Sequence, residues 1–359
     1  MPGSTRSSTG ADPHLWITVL AGGSGSRFWP VSTPSRPKQL LSLAGPRPLV
    51  VETVERARTV AADERIRILT GADLVPSFQS ALPELGLDSY WIEPHARGTG
   101  PALTWAAWRA LEKDPDAVLV SLHSDHVVRP LEAFVQGIRA ASALALRERV
   151  LVTVGVAPDR PETGYGYLQS GAPLDPVDGV PTFQVSAFHE KPDRGTAERY
   201  MGQGYLWNSG IFAWRADVFL EEVRRHAPTI ARALPCLEDG DAEGYFEMVG
   251  PGTVDETILE RSDHIACVQA PFAWDDVGSW EGLSRVRGAA PGENVIVGEG
   301  QVEDGSNNIV YSDGGDTVVW GLSDVVIVHT SGTTLVMRRD LAPDVKRLLD
   351  RLPDHIHPR

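Results

Sequence analysis

The chain is short of cysteine, of positive charge and of long apolar runs, and each shortage narrows its function. Cys236 and Cys267 are the only two cysteines in 359 residues. Two cannot staple a secreted scaffold, so they read as free thiols in a reducing compartment. Lys and Arg total 33 against 48 Asp and Glu, a formal net charge of −15. General nucleic-acid binding needs a basic footprint, which this balance argues against. No apolar run approaches the roughly 18 residues of a membrane span. Residues 1–14 are rich in Ser, Thr, Gly and Pro and lack the apolar stretch of a signal peptide, so they read as a disordered tail. With 42% hydrophobic and 23% charged residues, the chain has enough apolar surface for a large core. The expectation is a cytoplasmic, acidic globular protein with no nucleic-acid or membrane partner.

Short apolar runs alternate with helical patterns through the first two thirds. Residues 16–20, 67–70, 117–122 and 150–155 are strand candidates, and residues 51–61, 74–82 and 131–147 carry apolar side chains at helical spacing. That alternation predicts an α/β fold with a doubly wound, Rossmann-like, mainly parallel sheet. After about residue 290 the pattern changes. Residues 294–297, 308–311, 317–320 and 325–329 are β-rich runs separated by Gly, Asp, Ser and Asn, and residues 342–352 close the chain as a helix. The reading is a large α/β domain over residues 15–290 and a small β module with its closing helix over 291–359.

The most informative segment is Ala21-Gly-Gly-Ser-Gly-Ser-Arg-Phe-Trp-Pro30, followed by Pro37-Lys-Gln-Leu40. A strand opening into three glycines exposes backbone N–H groups in a concave nest that suits phosphate oxygens. Two generic phosphate loops fail on detail. A Walker loop ends in Gly-Lys-Ser/Thr, whereas Gly25 is followed by Ser26 and Arg27; the dinucleotide fingerprint needs a third Gly where Phe28 stands. A plain surface loop leaves the cations Arg27 and Lys38 unexplained.

This wording resembles the signature of the nucleotide-diphospho-sugar pyrophosphorylases, and among them the mannose-1-phosphate guanylyltransferases. Further landmarks follow in order: Glu93-Pro-His-Ala-Arg-Gly-Thr-Gly-Pro-Ala102, Ser124-Asp-His126, Glu162-Thr-Gly-Tyr-Gly-Tyr-Leu168, Phe188-His-Glu-Lys-Pro192, Tyr205-Leu-Trp-Asn-Ser-Gly-Ile-Phe212 and Trp274-Asp-Asp-Val-Gly-Ser-Trp280. The resemblance spans residues 15–352. The chain departs from the family pattern at Ala96, Gly98 and Gly100, and His123 replaces a usual Pro. The resemblance implies a GT-A-like nucleotidyltransferase domain and a C-terminal module like a partial left-handed β-helix, which allows a homodimer.

The implied reaction is attack of a mannose 1-phosphate oxygen on the α-phosphorus of GTP, giving GDP-mannose and pyrophosphate. A phosphate monoester has a second pKa near 6, so its nucleophilic oxygen needs no general base. Alignment of two anions and charge neutralisation are the needs, and cations with a hard metal should dominate the site. By resemblance, Leu20, Ala21, Gly22, Gly23, Ser24, Gly25, Ser26, Arg27 and Lys38 hold the triphosphate, and Glu93, Arg97, Gly98 and Thr99 the base and ribose. Arg27, Lys38 and Asp125 are the catalytic candidates. Asp125 and Asp276 are expected to bind Mg2+ or Mn2+; Asp276 could instead cap a helix, and Asp275 could take either job. His123 and His126 lack the further ligand spacing of a zinc site and read as structural. Gly164, Tyr165, Glu190, Lys191, Asn208 and Ser209 make up the implied sugar-phosphate set; the bland alternatives are a surface ion pair for Glu190 and Lys191 and a turn for Asn208. The rival readings are a related enzyme using another NTP or sugar, and a non-catalytic sensor of sugar nucleotides. The 69 residues after position 290 are too few for an added sugar isomerase domain.

Overall fold

Strand and helix alternate because apolar runs flanked by Gly, Pro and polar turns alternate with 3.6-residue patterns. The computed structural model describes residues 12–353 other than Ser24, together with residues 355–356; most of the tail expected over residues 1–14 lies outside them. The strands of the main sheet region are β1 (Leu15–Leu20), β2 (Ile66–Gly71), β3 (Tyr90–Glu93), β4 (Val118–His123), β5 (Val127–Arg129), β6 (Leu151–Val156), β7 (Gly166–Val177), β8 (Val180–Glu190), β9 (Leu206–Arg215), β10 (Ile265–Gln269) and β11 (Ala273–Asp275). Nine of them form one sheet in the order β3-β2-β1-β4-β9-β6-β10-β8-β7. β3, β2, β1 and β4 are parallel, as the sequence pattern predicts, and β6 pairs in parallel with β10. Within this sheet only β8 and β9 run against the others.

Helices cover both faces. β1 is buried along its whole length, the mark of a strand packed on two sides. Helices α1 (Leu49–Ala57), α2 (Val75–Ala81), α3 (Thr99–Lys113) and α4 (Leu131–Glu148) supply the apolar stripes. The inward-facing Ile17, Val19 and Val120 pack with Val54 and Ile138 in one core. Trp16, Leu119 and Trp214 on the other face pack with Leu103 and Phe219. Because β1 lies between β2 and β4, the crossovers reverse there, and ligands of open α/β sheets bind at the strand ends next to such a point.

The C-terminal runs form two parallel ladders. One joins β12 (Val295–Val297), β14 (Ile309–Asp313) and β16 (Val325–Thr330), with β17 (Thr334–Arg338) antiparallel at its edge; the other joins β13 (Gly300–Glu303) to β15 (Thr317–Trp320). A third core cluster ties this module to the α/β domain. Trp280, fully buried, meets the Phe28 ring edge-on at 4.9 Å and the Tyr311 ring at 5.3 Å. The segment after the glycine loop is thereby clamped to the β module.

Candidate active site

The ends of β1 and β4 lie side by side. Leu20 stands opposite His123 in register, and the Ser124 N–H donates to the Leu20 carbonyl at 3.0 Å. At that edge β1 opens into the glycine loop. Gly25 adopts φ +64°, and a single 3₁₀ turn, Ser26–Phe28, follows it. Glycine is required at this position for two reasons. The left-handed conformation disfavours other residues. In addition, a Cβ there would lie 2.2 Å from the Cβ of Lys38. Ser24 lies outside the described residues.

Lys38 sits beneath the loop with its side chain 8% exposed. Its ammonium donates to Asp125 Oδ2 at 2.8 Å and to the Asp276 backbone carbonyl, and stands 5.9 Å from the Phe28 ring centre. Burial pushes the Asp125 carboxyl up, but Lys38, with His126 and His123, outweighs it and holds the group below the usual carboxylate range. Asp276 moves the other way, raised by burial despite the pull of Lys38. Both carboxylates keep one oxygen, Asp125 Oδ1 and Asp276 Oδ2, with no hydrogen-bond partner among the described residues.

The choice between Asp275 and Asp276 is made by arginines. Arg285 forks onto Asp275 at 2.6 and 3.2 Å, and the Val277 N–H donates to Asp275 at 2.7 Å. Asp276 accepts from the Tyr165 hydroxyl at 2.5 Å and from the Gly278 N–H at 3.0 Å. It faces the site, while the following helix, Trp280–Val286, has Ser279 at its N-cap. Arg160 joins the pair, 3.2 Å from Tyr165 Oη and 3.4 Å from Asp275.

Two cavities of about 320 and 310 Å³ adjoin, with His123 and Asp125 lining both. The first is lined by Leu20, Ala21, Gly22, Gly23, Glu93, Gly98 and Thr99 from the predicted nucleotide set. The second is lined by Gly25, Ser26, Arg27, Lys38, Asp125 and Asp276, together with Lys346 from the C-terminal helix Val345–Leu349. Arg27 is exposed, its guanidinium 3.5 Å from the Gly278 carbonyl. Glu93 has no side-chain partner among the described residues, and burial pushes its carboxyl up to about 7.

Other predicted residues lie elsewhere. Arg97 lines neither cavity; its Nε donates to the Phe246 carbonyl at 2.9 Å, which makes it a tether. The departures at Gly98 and Gly100 have a packing cause. A Cβ at Gly98, where φ is +82°, would lie 2.6 Å from the Gly252 carbonyl oxygen, and one at Gly100 would lie 2.8 Å from Thr257 Oγ1. The sugar-phosphate set lines neither of these two cavities. Ser209 is buried and donates to the Val154 carbonyl at 2.6 Å. Asn208 accepts from Thr153 at 2.9 Å and donates to Asp255 at 2.8 Å. Glu190 and Lys191 form an ion pair at 2.6 Å on a separate open groove, joined to Tyr165 through the Lys191 N–H. Gly164, also outside both cavities, takes its N–H to Glu162 at 3.2 Å. Sequence reasoning missed Arg160, Asp255, Arg285 and Lys346, none of which stands in a glycine-rich or catalytic-looking run.

Gly25→Ala should displace Lys38 and lower the turnover rate at least roughly 100-fold. Gly22→Ala and Gly23→Ala meet nothing closer than 4.0 Å and should leave the melting temperature unchanged. An active, stable Gly25→Ala protein would refute the close-approach argument. For Glu93 the folded pKa of about 7 lies above the ordinary 4.5. Its stabilising contribution is therefore complete below pH 4.5 and lost as pH rises through 7. Glu93→Gln should be more stable than the parent above pH 7, by roughly 1–2 kcal/mol after allowing for partial exposure. Denaturant titrations of both proteins at pH 5 and 8 read this directly; equal differences at the two pH values would contradict it.

Residues 17–290 match the nucleotidyl transferase family and residues 301–352 the MannoseP isomerase/GMP-like β-helix domain. A mannose-1-phosphate guanylyltransferase of Salmonella muenchen is 34% identical over 351 residues, spanning 93% of this chain and 72% of its own. A second, from Escherichia coli strain K12, is 33% identical over 356 residues, spanning 95% and 74%. Among solved structures, one described as a mannose-1-phosphate geranyltransferase from Thermus thermophilus superposes with a TM-score of 0.86 at 30% identity, over 94% of this chain and 99% of the other. A UDP-glucose pyrophosphorylase complexed with UDP-glucose, 17% identical with a TM-score of 0.50 over 76% of this chain and 97% of its own, shares the fold alone. Fold, ordered motifs and relatives agree: the chain belongs to the nucleotidyl transferase family, in the group of the mannose-1-phosphate guanylyltransferases.

Proposed function

We propose that the chain transfers GMP from GTP to mannose 1-phosphate. The observation that carries this reading is the position of Lys38, which lines the second cavity and bridges Asp276 to Asp125, a residue that lines both cavities. The first cavity takes the guanosine, with Glu93 accepting from the guanine N–H donors. The second takes the phosphates, gripped by Arg27, Lys38, Lys346 and the backbone of the loop. A phosphate oxygen of mannose 1-phosphate attacks the α-phosphorus, the bond to the β-phosphate breaks, and pyrophosphate leaves with the bonding electrons. Lys38 neutralises the charge that builds on the α-phosphate oxygens, which lowers the barrier because the ammonium is already fixed and largely dry.

A divalent cation, Mg2+ or Mn2+, fits the donors present: two carboxylates, each with an unpartnered oxygen, at the phosphate cavity. Asp125 and Asp276 would hold it, and when bound it supplies positive charge against the phosphate oxygens. Tyr165 and Gly278 orient Asp276, and Arg285 with Arg160 keeps Asp275 out of competition. We place the sugar beside the polar cluster of Glu190, Asn208 and Asp255, where burial and the Glu190 charge raise Asp255 to about 6. The reading extends to a homodimer packed through the β module, where Val318 and Trp320 are 71% and 76% exposed; sedimentation at the monomer mass would refute that part. No described helix is long and apolar enough to cross a membrane, and a cytoplasmic enzyme is part of the proposal.

Pyrophosphate release should require GTP, mannose 1-phosphate and Mg2+ or Mn2+ together. Asp125→Asn should lower the turnover rate by roughly 100-fold or more, since it removes the charge that positions both Lys38 and the metal. A preference for ATP or dTTP would overturn the substrate assignment, and full activity in Asp125→Asn would overturn the metal assignment.

A further inference from the structure

His123 lines this site but has no role in the proposed reaction. It ends β4 and lines both cavities. Among the described residues neither of its ring nitrogens has a hydrogen-bond partner. Space is made for it: Gly210, at φ +70°, would place a Cβ 2.8 Å from His123 Nε2. The ring stacks on His126 with centres 4.5 Å apart and planes 25° apart. Ligand atoms of His123 and Asp125 lie within 4.8 Å of each other in a cluster with His126, a spread that one metal ion can close.

The two histidines differ in what they can offer. The Trp274 indole, which is only a donor, gives its N–H to His126 Nδ1 at 3.0 Å. Neutral His126 therefore carries its proton on Nε2 and presents a donor to the site rather than a lone pair. His123 has no such constraint. We propose that His123 is a nitrogen ligand to the metal held at Asp125, so that the site is a mixed imidazole–carboxylate centre that favours Mn2+ and later transition ions over Mg2+. The inference rests on the assignment of a metal to Asp125. Imidazole suits borderline transition ions, whereas Mg2+ prefers oxygen donors throughout.

The test is pulsed EPR of the whole protein with Mn2+ and inorganic pyrophosphate, a nitrogen-free partner that completes the phosphate side. Bound Mn2+ should show ¹⁴N modulation that converts to a ¹⁵N pattern when only histidine is ¹⁵N-labelled. The modulation should vanish in His123→Ala and persist in His126→Gln. Mn2+ affinity should fall roughly tenfold or more in His123→Ala, with Mg2+ affinity changed far less. The labelling readout uses the unaltered protein, so it stands even if a variant misfolds. Bound Mn2+ without nitrogen modulation overturns the proposal and leaves the carboxylate assignment intact. Modulation that survives His123→Ala in a folded protein also overturns it. Mn2+ binding unaffected by Asp125→Asn overturns both.

Discussion

The buried contact of the Lys38 ammonium with Asp125 and the Asp276 carbonyl is the constraint on which the rest of the site depends. Taking an ammonium and a carboxylate out of water costs several kcal/mol per ion, and their attraction offsets this only with good geometry. Such a pair is a poor device for stability. It is a good one for chemistry, because a fixed charge in a poorly solvated site needs no reorganisation when a phosphorus centre becomes more negative. The surroundings read as the means of keeping it in place. Gly25 lacks the Cβ that would strike Lys38, the Phe28 ring lies under the ammonium, and Trp280 holds Phe28 from the β module.

This chain of contacts changes the meaning of the C-terminal ladders. Their contacts reach the candidate site. Trp280 and Tyr311 join them to the segment behind the glycine loop, and the helix Val345–Leu349 delivers Lys346 to the phosphate cavity. The strongly acidic chain, of net charge −15, thereby concentrates Arg27, Lys38 and Lys346 at one cavity, the place where the proposed reading puts the triphosphate.

Contiguous features were legible in the sequence. The buried strands β1, β2 and β4 and the glycine loop that follows β1 stand on short segments whose pattern is visible locally. Features set by distant pairing were not. Asp275 and Asp276 are adjacent and alike, and what separates them is Arg285 and Arg160, reached only through the fold. The hydrogen bond from Arg97 Nε to the Phe246 carbonyl, and the approach of Gly252 and Thr257 to Gly98 and Gly100, are likewise made across the fold. The long hairpin of β7 and β8 is not among the strand candidates, and no residue of β7 from Ser170 to Val177 is buried. Ser209, polar in a strand, resembled a ligand residue but gives its hydroxyl to the Val154 carbonyl.

The most direct measurement is a single-turnover comparison of the parent with Lys38→Met, with GTP affinity measured separately. If Lys38 acts on the charge developing at the α-phosphorus, the chemical step should slow by roughly 100- to 1000-fold while GTP binding weakens far less. A variant whose chemical step stays within a few-fold of the parent, with the loss confined to GTP affinity, would contradict the account.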